Sequence, residues 1–112
     1  MHRALLLLLA PVIAQAAYVT PGYPARPIRW VVTFPAGGGT DIMGRAIAAR
    51  YTEAWGQPVI VENRLGAGGV ISGQMVATAP PDGYTLLIGE TGQLAIVPHL
   101  MKNIPYDPVK DL

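Results

Sequence analysis

The 112-residue chain sets eight Lys and Arg against seven Asp and Glu for a net charge of +1, and no two basic residues adjoin. This excludes the basic footprint of a nucleic-acid binder. It contains no cysteine and two histidines, His2 and His99, which leaves neither a disulfide framework nor the ligands of an ordinary zinc site.

Met1-His2-Arg3, the apolar run from Ala4 to Ala14, and Ala14-Gln15-Ala16 have the charged start, apolar middle and A-x-A end of an export leader. A membrane anchor would need about 20 apolar residues, more than this run supplies. Residues 1–16 are therefore expected to be a signal peptide cleaved after Ala16, and the leader accounts for part of the mean hydropathy of +0.34. What remains is long enough for one small domain with its own core. Residues 17–27, with Pro21, Gly22, Pro24 and Pro27, read as an extended lead-in.

Ile28 to Phe34 is β-branched and aromatic and stops at Pro35 and three glycines, the profile of a buried strand. From Asp41 onward Ile42, Ala46, Ile47, Ala49 and Ala54 favour one side of a helix of about four turns, with Thr40 or Asp41 suited to its N-cap and Gly56 to its left-handed end. The unit recurs: a strand over Pro58–Glu62, glycines between Gly66 and Gly69, and a helix over Val70–Ala79 stopped by Pro80-Pro81-Asp82-Gly83. Tyr84–Gly89 is the third strand, and a short helix follows around Leu94–Met101. Trp30 and Trp55 read as core or core-edge residues.

Strands alternating with helices over short connections predict an α/β fold with a parallel βαβαβ sheet and right-handed crossovers. All three loops that leave the strands then share one carboxyl edge, where open sheets bind ligands. The loop Gly37–Gly39 lacks the lysine of a phosphate loop. It also fails the dinucleotide pattern, because Ile42 stands where the third glycine belongs. Glycine backbone amides and a helix N-terminus still suit a carboxylate, although a triglycine can also serve merely as a tight turn. No cofactor is implied.

Catalytic residues are scarce. Ser72 lies outside any G-x-S-x-G elbow and reads as facing solvent or packing on its own helix. His99 has no nucleophile in sequence reach and reads as a surface or capping residue. Asp41 and Glu90, near the ligand edge, read as capping and loop carboxylates rather than an acid–base pair.

Several stretches together resemble the N-terminal part of the tripartite tricarboxylate transporter substrate-binding proteins, also called the Bug family. They are Tyr23-Pro24 with Pro27-Ile28; Phe34-Pro35-Ala36-Gly37-Gly38 with Thr40-Asp41; Trp55 to Val59; Val61 to Arg64 with Gly66-Ala67-Gly68-Gly69; Pro81 to Leu87; and Pro105 to Pro108. The resemblance implies a periplasmic receptor that is a monomer at full length. It would close two lobes of a type II, Venus-flytrap fold on a small di- or tricarboxylate and hand it to a two-component membrane permease. Residues 28–112 would form the first part of lobe 1, with a second lobe beyond them. The resemblance assigns ligand contacts to Phe34, Pro35, Gly37, Gly38, Thr40 and Asp41 in the first loop. Gly66, Ala67, Gly68 and Gly69 serve in the second, and Thr91, Gly92 and Gln93 in the third.

Two positions depart from that family's pattern: Gly39 completes a triglycine, and Glu90 sets a carboxylate beside the third loop. Two other classes stay open. One is an exported α/β enzyme acting on a small anionic ester with Glu90 and His99 as acid and base. The other is an interaction module that pairs through its open sheet edge.

Overall fold

The computed structural model describes residues 22–112; the expected signal peptide and residues 17–21 of the lead-in lie outside the described residues. Three short strands, β1 (Ile28–Val32), β2 (Val59–Asn63) and β3 (Thr85–Ile88), form one parallel sheet in the order β2-β1-β3. Ile28 sits opposite Val59 and Val32 opposite Asn63, while Arg29 and Val32 face Thr85 and Ile88. Helix α1 (Gly39–Trp55) links β1 to β2, α2 (Val70–Ala77) links β2 to β3, and a wide helical turn over Gly92–Ile96 leads into α3 (Val97–Leu100).

Alternation along β1 assigns each helix a face. Ile28 packs with Ala48 of α1 and with Val59, and Trp30 meets Tyr51 of α1 edge-on at 5.5 Å, so the even-numbered side chains face α1. Thr33 reaches Ser72 of α2 on the opposite face. The chain moves outward from β1 to β2 and then back across β1 to β3, so right-handed crossovers require this split. Trp30 and Trp55 occupy the core edge as expected, and Tyr51 stacks on Trp55 at 4.4 Å.

Where element ends differ from expectation, hydrogen bonding explains the shift. β1 ends at Val32 rather than Phe34, because β2 and β3 end opposite it and the Thr33 side chain turns into the interior. α1 is capped by Gly38, with extended φ and ψ of −74° and 167°, and not by Thr40 or Asp41. Those two residues lie in its first turn, and Asp41 reaches back to the Gly37 amide at 2.8 Å in the manner of a capping-box residue. The left-handed Gly56 ends α1 as expected, at φ 69°. α2 stops at Ala77 rather than Ala79, since Ala79 precedes a proline and is pushed out of the helical region. The third helical segment starts before Leu94, and Pro98 lacks the N–H that would tighten its wide turn.

The inward face of α1 also differs. Asp41, Gly44 and Ala48 are its buried residues, whereas Ile42, Met43 and Ile47 are 61%, 65% and 42% exposed. Close approach is the reason: a Cβ on Gly44 would lie 2.9 Å from Ile88 Cδ1 and 3.8 Å from Val32 Cγ2. Only small side chains fit under the helix there.

One polar network ties the first loop to the sheet. The buried Asp41 carboxylate accepts from Arg45 Nε at 3.0 Å, from Gly37 N at 2.8 Å and from Asn63 Nδ2 at 2.9 Å. Asn63 Nδ2 also donates to Phe34 O at 2.9 Å, and its Oδ1 accepts from Arg45. The Arg45 bond first, then the Gly37 amide and Asn63, hold the Asp41 carboxyl down from 3.8 to about 2. On the second face Arg29 grips Glu62 with two bonds of 2.8 and 2.9 Å.

The ends of the described chain are fastened to the same scaffold. Tyr23 donates to Gly83 O at 2.6 Å, and Arg26 pairs with Asp82 at 2.7 Å while lying 4.1 Å over the Tyr84 ring. Tyr106 packs on Gly73 of α2 so tightly that a Cβ there would fall 2.5 Å from its ring. Its hydroxyl is buried without a partner among the described residues.

A depressed Asp41 pKa means stability that is present above the unfolded value near 4 and lost as pH falls toward 2. In denaturant unfolding series, the deficit of Asp41→Asn relative to the parent is expected to be full at pH 6 and to close between pH 4 and pH 2. Gly73→Ala should destabilise by roughly 1–3 kcal/mol through overpacking. Tyr106→Phe should raise stability by about 1 kcal/mol by removing a buried unpaired hydroxyl; a loss in the same unfolding assay would reveal a partner for that group.

Candidate functional site

Parallel strands bring the loops after β1, β2 and β3 to a single edge, with β1 central. In the first loop Pro35 is exposed and Phe34 half-buried, Gly37 takes φ +85°, and Gly38 caps α1. Asp41 is only 3% exposed, and its carboxylate is already bonded to Gly37, Arg45 and Asn63. It builds the loop, and Arg45 is occupied by it.

The second loop has the longest run of positive φ values among the described residues. Gly66, Ala67, Gly68 and Gly69 have consecutive positive φ values of 125°, 49°, 61° and 92°, a conformation that costs an alanine about 1–2 kcal/mol. At Gly69 no side chain could be accommodated, because a Cβ would stand 2.8 Å from Gln93 Cγ. Strain of this kind concentrates at ligand sites.

The third contributor is not a loop throughout. Gly92 and Gln93 belong to the wide helical turn, Thr91 is exposed, and Gln93 is fully buried. The Glu90 side chain folds back over Gly92, where a Cβ would meet its Oε1 at 2.9 Å.

Among the described residues, the backbone N–H groups of Gly39 and Thr40, Ala67 and Gly68, and Gly92 and Gln93 find no protein acceptor. These are the orphan donors that open any helical segment, and all three sets lie on the same sheet edge. Such an edge can receive an anion without a basic side chain.

Beneath the loops lies a polar cluster that the sequence did not reveal. Thr33 is 7% exposed, and Ser72 and Gln93 are 0% exposed. Thr33 Oγ1 lies 2.9 Å from Ser72 Oγ and donates to Gln93 Oε1 at 3.1 Å. Gln93 Nε2 donates to Ser72 Oγ at 3.0 Å and to Gly69 O at 2.6 Å. Ser72 thus faces the interior rather than solvent or its own helix alone. The available signal was a polar residue ending the apolar run Val31-Val32-Thr33, together with a serine three residues after Gly69.

Other features do not converge on this edge. His99 is exposed on α3. A largely apolar concavity of about 810 Å³, lined by Trp30, Val76, Leu86, Ile88, Leu94 and Leu112 among others, runs instead along β3, an outer strand of the sheet.

Comparison with known proteins agrees with this architecture. Residues 43–112 match the tripartite tricarboxylate transporter family receptor. The protein BugT of Bordetella pertussis is 45% identical over 113 aligned positions, covering 96% of this chain and 35% of BugT. Among solved structures, MatC of Rhodopseudomonas palustris with bound malate is 42% identical with a TM-score of 0.74, covering 80% of this chain and 30% of MatC. The periplasmic binding protein BugD is 45% identical with a TM-score of 0.71, covering 77% of this chain and 28% of BugD. The chain therefore spans about a third of the length of these relatives, and its three-stranded parallel sheet corresponds to part of one lobe of the type II periplasmic binding fold. With a profile match over more than half its length and a curated relative at 45% identity, the chain belongs to the tripartite tricarboxylate transporter receptor family.

Proposed function

We propose that the protein is an exported, non-enzymatic receptor that holds a carboxylate of a small organic acid on the backbone amides of its three loops. The observation that carries this reading is the gathering of unsatisfied amides from Gly39-Thr40, Ala67-Gly68 and Gly92-Gln93 on one edge of the sheet. The malate bound to MatC and the periplasmic setting of BugD support the ligand class and the compartment. The leader at residues 1–16, cleaved after Ala16, would bring the protein there, and a two-component membrane permease would receive the ligand.

Residues 28–112 act in this reading as one wall of a cleft whose other wall belongs to a second lobe. The magnitudes favour that division. Three or four charge-assisted hydrogen bonds at about 1.5–3 kcal/mol each barely offset the roughly 4–15 kcal/mol cost of association, so useful affinity needs contacts from both sides. Glu90 beside Gly92 disfavours a second negative charge at that end of the wall.

Isothermal titration of the protein joined to the second lobe of its family should give saturable heat with malate, citrate or adipate. No heat with any of the three would overturn the reading. Gly68→Pro removes one amide donor and forces a negative φ where the loop has +61°; it should weaken binding at least tenfold in the same titration while near-ultraviolet circular dichroism remains native.

A further inference from the structure

We propose that the side chains of Thr33, Ser72 and Gln93 form a positioning element that fixes the Gly69 carbonyl and so aims the Ala67 and Gly68 amides, without themselves touching the ligand. The proposal rests on the carboxylate-receptor reading above. Each residue comes from a different connection: Thr33 follows β1, Ser72 opens α2, and Gln93 lies in the turn after β3. Together they join the three loops that carry the orphan amides.

Donor and acceptor accounting closes the cluster into a ring. Gly69 O can only accept, so the Gln93 carboxamide must turn its nitrogen toward it at 2.6 Å and its oxygen toward Thr33. The second proton on Nε2 goes to Ser72 Oγ at 3.0 Å. The Ser72 proton is shared between Thr33 Oγ1 and Gly69 O, each 2.9 Å away, and the Thr33 proton returns to Gln93 Oε1 at 3.1 Å. Every proton has an acceptor, and the ring can run in one direction.

The Gly69 carbonyl is the point where the ring meets the loop. It accepts from both Gln93 and Ser72, while the Gly69 amide bonds back to Gly66 O at 3.0 Å. Ala67 and Gly68 lie inside that small closed turn, which is held by the Gly69 N–H bond to Gly66 O and, one peptide further on, by the bonds of Gln93 and Ser72 to the Gly69 carbonyl, so the ring anchors the segment that carries their N–H groups. Gln93 Cγ lies 2.8 Å from where a Gly69 Cβ would be, so the Gln93 side chain is packed directly against the turn. Full burial of Ser72 and Gln93 keeps water from replacing any bond in the ring, and it also keeps these side chains from the ligand.

The test compares Thr33→Val and Gln93→Met, which preserve shape and remove ring donors or acceptors, with Thr33→Ser, which restores the hydroxyl. Two readouts are taken on the two-lobed protein: titration with malate, citrate and adipate, and the amide resonances of Ala67 and Gly68 in 15N-edited spectra without ligand. The expected result is a tenfold or greater rise in Kd for Thr33→Val and Gln93→Met, with shifted Ala67 and Gly68 amides, and values within threefold of the parent for Thr33→Ser. If Gln93→Met does not fold, Ser72→Ala decides, since it removes one of the two bonds to Gly69 O and leaves the Gln93 bond in place. Unchanged amides and affinity in Ser72→Ala would overturn the positioning role and leave the receptor reading standing. Absence of binding by the parent would overturn the receptor reading itself, with the ring's effect on the amides still legible in the spectra.

Discussion

Parallel pairing is the constraint from which the rest of the molecule follows. Once β2 and β3 both run alongside β1 in the same direction, each return must cross a face of the sheet, and each helix must begin at the same edge. The apolar contacts of Ile28, Val59 and Ala48 stabilise the α1 face, and the Thr33–Ser72 contact joins the other. The loop edge is what remains after both faces are covered, and its amides are unpaired because helix starts leave them so.

Two polar clusters convert this general edge into a particular one. On the α1 face, Asp41, Arg45 and Asn63 hold the first loop to β2. On the α2 face, Thr33, Ser72 and Gln93 hold the second loop to the third. Each joins one strand-end residue, Asn63 or Thr33, to side chains of the following helical segments, and both are satisfied internally. The loops are thus rigid on the side of the scaffold and open only at the backbone.

The elements and their order were legible in the sequence because β-branched runs, Gly56 and the Pro80–Gly83 turn punctuate the chain strongly. Three things were hidden. The packed face of α1 ran through Gly44 and Ala48 rather than Ile42 and Ile47, since periodicity reports hydrophobicity and not how closely a helix can approach a sheet. The cap fell on Gly38, because the Asp41 carboxylate was drawn into bonds with Arg45 and with Asn63, a residue 22 positions away. The inward turn of Ser72 and Gln93 depends on a long-range meeting, 21 positions apart, that no local pattern encodes. The candidate loops were readable from their glycines, while the framework that shapes them was not.

The two long helices that begin at this edge differ in charge at their first turns. α1 carries Asp41 in its first turn, so its positive end is partly neutralised from within, and Glu90 stands beside Gly92 at the start of the third segment. α2 carries no acidic residue in its first turn. A helix start offers a field to an anion, and at α2 no carboxylate stands in the first turn to offset it. The loop with four consecutive positive φ values is also the one followed by a helix that opens without an acidic residue.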